Sequence, residues 1–238
     1  MKRFMQIWVV IMAVLVISSI AVFADTTSGG GNQLQKNQTH WYQAAAETIG
    51  PAKGVSAEGG TLLTLQPGSS LYMEGGSTLH MYQINAHALK GSAVIKGGST
   101  DLVNALKSGK VSSMGFAVSL ATFKSRESGL DDNAAKALKA TDYPEIQFVL
   151  IREKLTAGTA ADTYTMTATG TLTIAGEAVP VTLTGDATIT GSQIRFKGVQ
   201  KLKMTDFKIT PPSISLVVTS ITCTDDIEVH YDVIFAAK

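Results

Sequence analysis

The strongest constraint on the fold is a run of strict alternation. From 164 to 174 every odd-numbered residue is Thr, while the even ones are Tyr164, Met166, Ala168, Gly170, Leu172 and Ile174. After Ala175, Gly176 and Glu177 the pattern resumes. Val179, Val181, Leu183, Ala187 and Ile189 are now set against Thr182, Thr184, Asp186, Thr188 and Thr190. A helix would bring its apolar residues back every three or four positions, so a period of two over both runs excludes it. The pattern specifies an antiparallel hairpin with one apolar face and one wet face, turned at a short Gly-containing loop.

The same period recurs along most of the chain. Met114, Phe116, Val118 and Leu120 share one face, as do Ile146, Phe148 and Leu150. Ile194 with Phe196, Ile214 with Leu216 and Val218, and the odd residues from Ile227 to Phe235 extend the set. With the apolar stretches 62–65, 71–73, 79–87 and 93–95, this predicts roughly eight to ten strands, a number that closes into a barrel or packs as a sandwich. Two short helices interrupt them. One is expected over 100–107, opening on Thr100 and Asp101 and stopping at Ser108-Gly109. The other is expected over about 131–140, opening on Asp131 and Asp132 and ending before Pro144. Gly-Gly-Ser-Thr occurs at 75–78 and again at 97–100, and both are read as turns.

The first 24 residues stand outside this pattern. Lys2 and Arg3 precede an apolar run over 7–23 broken only by Ser18 and Ser19, and Val22 and Ala24 supply the small residues of a cleavage site. That is the layout of a secretory signal peptide, with an uncleaved anchor as the rival. The segment 25–60 reads as a flexible leader, with Gly29, Gly30 and Gly31 early and Gly59-Gly60 at its end. An Asn-Gln-Thr acceptor at Asn37 matters only in a glycosylating host. Of the 238 residues, 20 are Lys or Arg and 19 are Asp or Glu. Removing the signal peptide's two cations leaves 18 against 19, a net charge of −1, with no basic footprint for nucleic acid. The single cysteine, Cys223, excludes an intrachain disulfide framework and a Cys-based zinc site. It is expected to be a core or edge-strand thiol.

Catalytic signatures are missing. The four histidines, His40, His80, His87 and His230, show no metal-binding spacing, and there is no nucleophile elbow, P-loop or dinucleotide fingerprint. Asp131-Asp132 and Asp225-Asp226 are read as a helix cap and a turn. The protein is therefore expected not to be an enzyme. What remains is the interior of the barrel, either filled by its own side chains or lining a cavity for an apolar ligand.

Several segments then meet in order. Leu138-Lys139 leads into Tyr143-Pro144, Ile146 and Phe148, after Leu130-Asp131 upstream. Downstream come Gly170, Leu172, Thr173 and Gly176, with Val179 to Leu183 following, and then Asp206-Phe207-Lys208-Ile209. Ser77, Leu79 and His80 make a further match. Over residues 66–238 this set resembles the YceI-like family of exported, polyisoprenoid-binding, lipocalin-like proteins. The chain departs from the family at Lys208, where Gly is usual, and at Met81-Tyr82, where Asp-Trp often follows the His.

The resemblance implies an all-β fold over 61–238: an antiparallel, lipocalin-like barrel of about eight strands with one or two short helices. It implies a non-catalytic protein, periplasmic or secreted, with no resident cofactor or metal. Its ligand is expected to be an isoprenoid lipid, quinone-like or a polyprenyl phosphate, held in the lumen as carrier, store or sensor. Transient membrane contact and a homodimer are compatible with that role. The parity of the strands then nominates a lumen wall. Phe116, Val118, Leu120, Phe148 and Leu150 would form one part of it. Met166, Leu172, Ile174, Val181, Leu183 and Phe196 would form the rest. His80 and Tyr82 are nominated for the polar head. A filled barrel acting as a structural or interaction module is the alternative.

Overall fold

The alternating runs form strands wherever they lie in the described residues, which are 59–97, 101–215 and 220–237 of a computed structural model. The signal-peptide segment and the leader up to 58, with His40, fall outside them, as does 216–218 of the expected strand near 214. In chain order the strands are β1 (Gly60–Leu65), β2 (Ser70–Ser77), β3 (Met81–Ala86), β4 (Leu89–Lys96), β5 (Val111–Ser119) and β6 (Phe123–Lys124). There follow β7 (Glu145–Ala157), β8 (Thr163–Ile174), β9 (Glu177–Thr190), β10 (Gln193–Lys203), β11 (Ser213–Ser215) and β12 (Ser220–Ala237). Helix α1 (Leu102–Lys107) lies between β4 and β5, and α2 (Ser128–Ala137) between β6 and β7.

All the pairings are antiparallel. The order β1-β4-β5-β7-β8-β9-β10-β12 closes on itself because β1 also pairs with β12, Leu63 opposite Ala237 and Leu65 opposite Phe235. This is an eight-stranded barrel, as the family resemblance implies. The additional strands are largely continuations of its staves. After a turn at 66–69, β2 runs on from β1 along the same edge of β12, and β3 and β6 prolong β4 and β5 in the same way. Three staves are thus bent in two. We call the end carrying α1 the upper end and the end carrying the β8–β9 turn the lower one.

The Thr-rich hairpin is formed as its alternation dictates. Thr165 to Thr173 on β8 face outward against Met166, Ala168, Gly170 and Ile174, which are buried. The turn is Ala175-Gly176, both with positive φ (51° and 85°), the geometry that matches the twist of a hairpin. The Tyr143 ring lies over this turn, so that a β-carbon on Gly176 would come within 2.5 Å of it. Two of the segments carrying the family resemblance therefore touch each other.

Helix α1 begins at Leu102, with Asp101 as its cap accepting from the Asn104 N–H at 3.0 Å. Helix α2 starts three residues earlier than the acidic pair suggests. Its cap position is Glu127, which makes no side-chain capping bond, so the expectation that Asp131-Asp132 caps the helix is corrected. Asp131 instead accepts from the N–H and the hydroxyl of Ser125, both at 2.7 Å, tying the first turn of α2 back to the end of β6. Asp225-Asp226 is corrected likewise. It lies within β12 at a break in register, where Asp225 accepts from the Thr205 N–H (2.9 Å) and hydroxyl (2.7 Å). Gly75 and Gly76 belong to β2 and not to a turn, which falls just after it. Gly75 is needed in the strand because the Tyr82 hydroxyl sits 2.4 Å from where its β-carbon would be.

Candidate functional site

The inward faces build three apolar clusters, and the upper one leaves room. There, residues of β1, β4, β7, β8, β9, β10 and β12 pack together with Leu102, Ala105 and Leu106 of α1, which roofs the barrel. A cavity of about 50 Å³ lies under this roof. By the same measure one water needs about 10–15 Å³, so the space holds a short run of heavy atoms. Leu102 and Leu106 line it from above. Met114, Ala168, Val233 and Phe235 are among its walls, and Glu153, the one residue there that is not apolar, lines it through its carbon atoms.

Glu153 reaches the interior through a bulge. On β7 the even residues Ile146, Phe148 and Leu150 face inward, but the pairing with β8 slips between Leu150 and Arg152. Ile151 is left outside at 69 % exposure, and beyond it the odd residues turn in, Glu153 opposite Ala168 and Leu155 opposite Met166. The Glu153 Oε1 atom has neither solvent nor a hydrogen-bond partner. Burial pushes its carboxyl above the usual Glu range, partly offset by the N–H groups of Glu153 itself and Val111. Another interior polar group is better served. Tyr231 donates its hydroxyl to the Thr184 carbonyl at 3.1 Å, and burial pushes its pKa up to about 12.

The nominated wall residues divide between the halves. Leu150, Met166 and Phe196 line the cavity. Phe148 is buried in the same upper cluster, and Leu183 packs against it. Phe116, Leu172 and Val181 are half-buried, each shared between the upper cluster and a lower one. Val118 and Leu120 belong to a lower cluster with Tyr82, Ile84 and Phe123, and Ile174 to another with Met204, Phe207 and Ile209.

The two nominated head-group residues lie away from the cavity. His80 is exposed at the β2–β3 turn, its Nε2 3.1 Å from Oε1 of Glu127 beside α2. Tyr82 is buried in the lower cluster, where burial and then the adjoining Cys223 push its hydroxyl pKa up. Cys223 itself is half-buried against both lower clusters, as expected of a core thiol. His80 and His87 both lie just outside β3, where the sequence had placed them on one strand.

Sequence parity overlooked Glu153. An unbroken period from Ile146 would send Glu153 outward. The only sign of the slip was Leu155, an apolar residue of the wrong parity followed by Thr156 and Ala157. Outside the barrel, Glu74, Glu228 and His230 gather across β2 and β12, with His230 Nε2 3.4 Å from Glu74 and 3.9 Å from Glu228. The His230 ring stacks on Tyr72 at 4.4 Å. This group belongs to a belt of cross-strand ion pairs that includes Arg195–Asp232 and Lys203–Asp226.

The family model for the YceI-like domain matches residues 69–235, the greater part of the chain and nearly all of the barrel. The protein belongs to the YceI-like family. Among solved structures, Burkholderia cenocepacia BcnA is similar at 18% identity, over 70% of this chain and 95% of that one, with a TM-score of 0.53. A polyisoprenoid binding domain from Saccharophagus degradans, implicated in plant cell wall breakdown, matches at 10% identity over 74% and 98%, with a TM-score of 0.52. Both likenesses are of fold. No curated protein matches the chain in sequence.

YceI-like barrels are non-catalytic ligand binders, typically periplasmic or secreted, and this one is a barrel capable of holding an apolar ligand. The departure at Lys208 now has a physical meaning. Lys208 adopts a left-handed backbone (φ 53°, ψ 29°) after the 3-10 turn Met204–Phe207, which explains why Gly is usual there. Its Nζ lies 2.8 Å from Glu177.

Proposed function

We propose that the protein is exported and holds an isoprenoid lipid in the upper lumen, as carrier, store or sensor. A quinone-like or polyprenyl phosphate lipid fits the family. The observation that carries this reading is the cavity under α1, whose surface is apolar throughout. A polyisoprenoid is insoluble in an aqueous compartment, and burying each CH₂ is worth about 0.8 kcal/mol, so each five-carbon unit is worth about 4 kcal/mol. The void is smaller than such a chain. Loading therefore requires α1, six residues long, to lift, or the lining to repack around unbranched Met114 and Met166.

Residues 1–24 would direct export and be removed, leaving 25–60 as a leader to the barrel at 61–238. Uptake and release of the lipid would involve transient membrane contact.

The test is native mass spectrometry of the purified mature protein together with organic extraction. One isoprenoid per barrel is expected, and the same spectrum distinguishes monomer from homodimer. Recovery of no lipid, with no uptake of added quinone, would count against the proposal. A second reading, a structural or interaction barrel with no ligand, is favoured by the small size of the cavity. It predicts that the same protein takes up no apolar molecule of any kind.

A further inference from the structure

Within the belt of cross-strand ion pairs on the outer wall, one group is built differently from its neighbours. Asp232 is met by Arg195 and Asp226 by Lys203, in each case a carboxylate with a cation. Glu74 instead stands directly opposite Glu228 in the β2–β12 pairing, a placing in which like charges repel. Lys201 on β10 takes Oε1 of Glu228 at 3.1 Å, while Oε2 of the same carboxylate lies 3.9 Å from Nε2 of His230. Among the described residues the His230 imidazole is the one ion-pair partner of Glu74, at 3.4 Å from Oε2. Strand parity gathers the three. Glu228 and His230 are two apart on β12 and share a face, and Glu74 joins them from β2. Because that third residue comes from a strand far earlier in the chain, the spacing of the histidines alone shows no ligand set.

The contacts to His230 are close, but none is a hydrogen bond. Its Nε2 atom has neither solvent nor a hydrogen-bond partner, though it faces two carboxylates. The ring is stacked on Tyr72, with centroids 4.4 Å apart and planes 8° from parallel, which fixes the direction of that nitrogen. The three donor atoms lie within 4.8 Å of one another. Two ligands about 2.1 Å from a tetrahedral ion are about 3.4 Å apart. Glu74 and His230 already have that spacing, and the carboxylates, both part-exposed, need only rotate inward to close the triangle.

We propose that Glu74, Glu228 and His230 bind a divalent transition-metal ion, zinc by its ligand chemistry, on the outer wall of the barrel. One imidazole and two carboxylates suit zinc, whereas magnesium and calcium take sets made of oxygen. The ion would neutralise the opposed carboxylates, give the closed-off nitrogen a partner and clip β2 to β12. Three protein ligands leave a fourth position for water or for a donor from outside. The site is separate from the cavity, and the inference does not depend on lipid binding.

The test uses the purified protein without an affinity tag, stripped by a chelator and then titrated with zinc chloride in a calorimeter and in thermal melts. One zinc per chain is expected, and zinc at about a hundred times its Kd should raise Tm by about 5–10 °C. Magnesium at the same concentration should do neither. Glu74→Gln and His230→Ala should each weaken zinc binding at least about tenfold, since losing even a residue that only supports a ligand costs that much. Cobalt(II) in place of zinc should give the visible absorption of a four-coordinate site, and both variants should lose it. His80→Ala, which removes the separate His80–Glu127 pair, should bind zinc as wild type does. Glu74→Gln exchanges a part-exposed carboxylate for an amide of the same shape, so it decides the matter even if His230→Ala, which unstacks Tyr72, fails to fold. No zinc uptake, uptake matched by magnesium, or uptake that survives Glu74→Gln would overturn the proposal.

Discussion

The two halves of this barrel use the same alternating strands to opposite ends. The lower half is packed with large side chains. Phe207, at 1 % exposure, comes up from the 3-10 turn Met204–Phe207 into one cluster, and Ile84 and Val118, both at 2 %, anchor the other. Leu130, Ala134 and Leu138 of the α2 segment pack against these clusters from the gap between β6 and β7. The upper half has a thinner roof, a single short helix, and small residues such as Ala93 and Ala168 on its walls, and it keeps a cavity. Sheet geometry alone therefore does not decide whether a barrel is hollow. The sizes of the inward residues and of the plug decide it.

The largest effect should follow from emptying the full half. Phe207→Ala removes a fully buried ring from a site ringed by Met204, Ile209 and Ile174, and should cost about 3–5 kcal/mol in denaturant unfolding. Leu106→Ala in the roof removes a buried side chain beside an existing void, on a helix able to settle, and should cost nearer 2 kcal/mol. Equal losses at the two positions would mean that the halves are equally well packed and would remove the contrast.

Filling the hollow half gives the complementary result. Ala168→Leu adds three carbons at the wall facing Glu153 and should change stability by no more than about 1 kcal/mol, because the space is already there. Uptake of an apolar isoprenoid should fall at least about tenfold, a loss on the order of 1.4 kcal/mol of binding energy. A large destabilisation with no change in uptake would show that the cavity is not where ligand goes.

The regular strands were far more legible in the sequence than the bulged one. Thr-against-apolar alternation located β8 and β9 almost to the residue, because every step of a regular strand repeats the same choice of face. The bulge at Ile151 broke that rule, and with it the inference of which β7 residues face inward. One extra residue exchanges the faces of everything beyond it, and within 150–155 only Leu155, apolar at the wrong parity, announces it. The wall nominated from parity therefore included Leu150, Met166 and Phe196 but not Glu153. Nor could parity tell lumen from packed core, since Ile174 and Met166 occupy the same face of one strand yet lie in different halves. Turn residues misled for a related reason. Gly75 is a glycine because of the Tyr82 ring above it, a long-range contact with no local signature.

The smallest expected effect compares one carboxyl from each half. Burial raises Asp131, but the Ser125 hydroxyl and N–H and the Lys124 ammonium outweigh it, holding the group below its ordinary value of 3.8. The ionised form is thus favoured by folding. Its contribution is present above the unfolded pKa and is lost as pH falls through the lower folded one. Glu153 works the other way. Its folded pKa lies above the unfolded 4.5, so the folded state binds more protons between the two values and stability declines as pH rises through that window. At pH 7.5 Asp131→Asn should lose up to about 1 kcal/mol, given how much of the pair is screened by solvent. Glu153→Gln should gain no more than about 1 kcal/mol, or about 2–4 °C in Tm, because a half-buried charge is removed and solvent screens part of its burial cost. Both differences should shrink towards zero below pH 4, where the wild-type carboxyls are increasingly protonated. Thermal melts of the three proteins across pH 3–8 measure this directly. A Glu153→Gln gain that persists unchanged into acid would mean that the side chain's shape, and not its charge, is what its site on β7 resists.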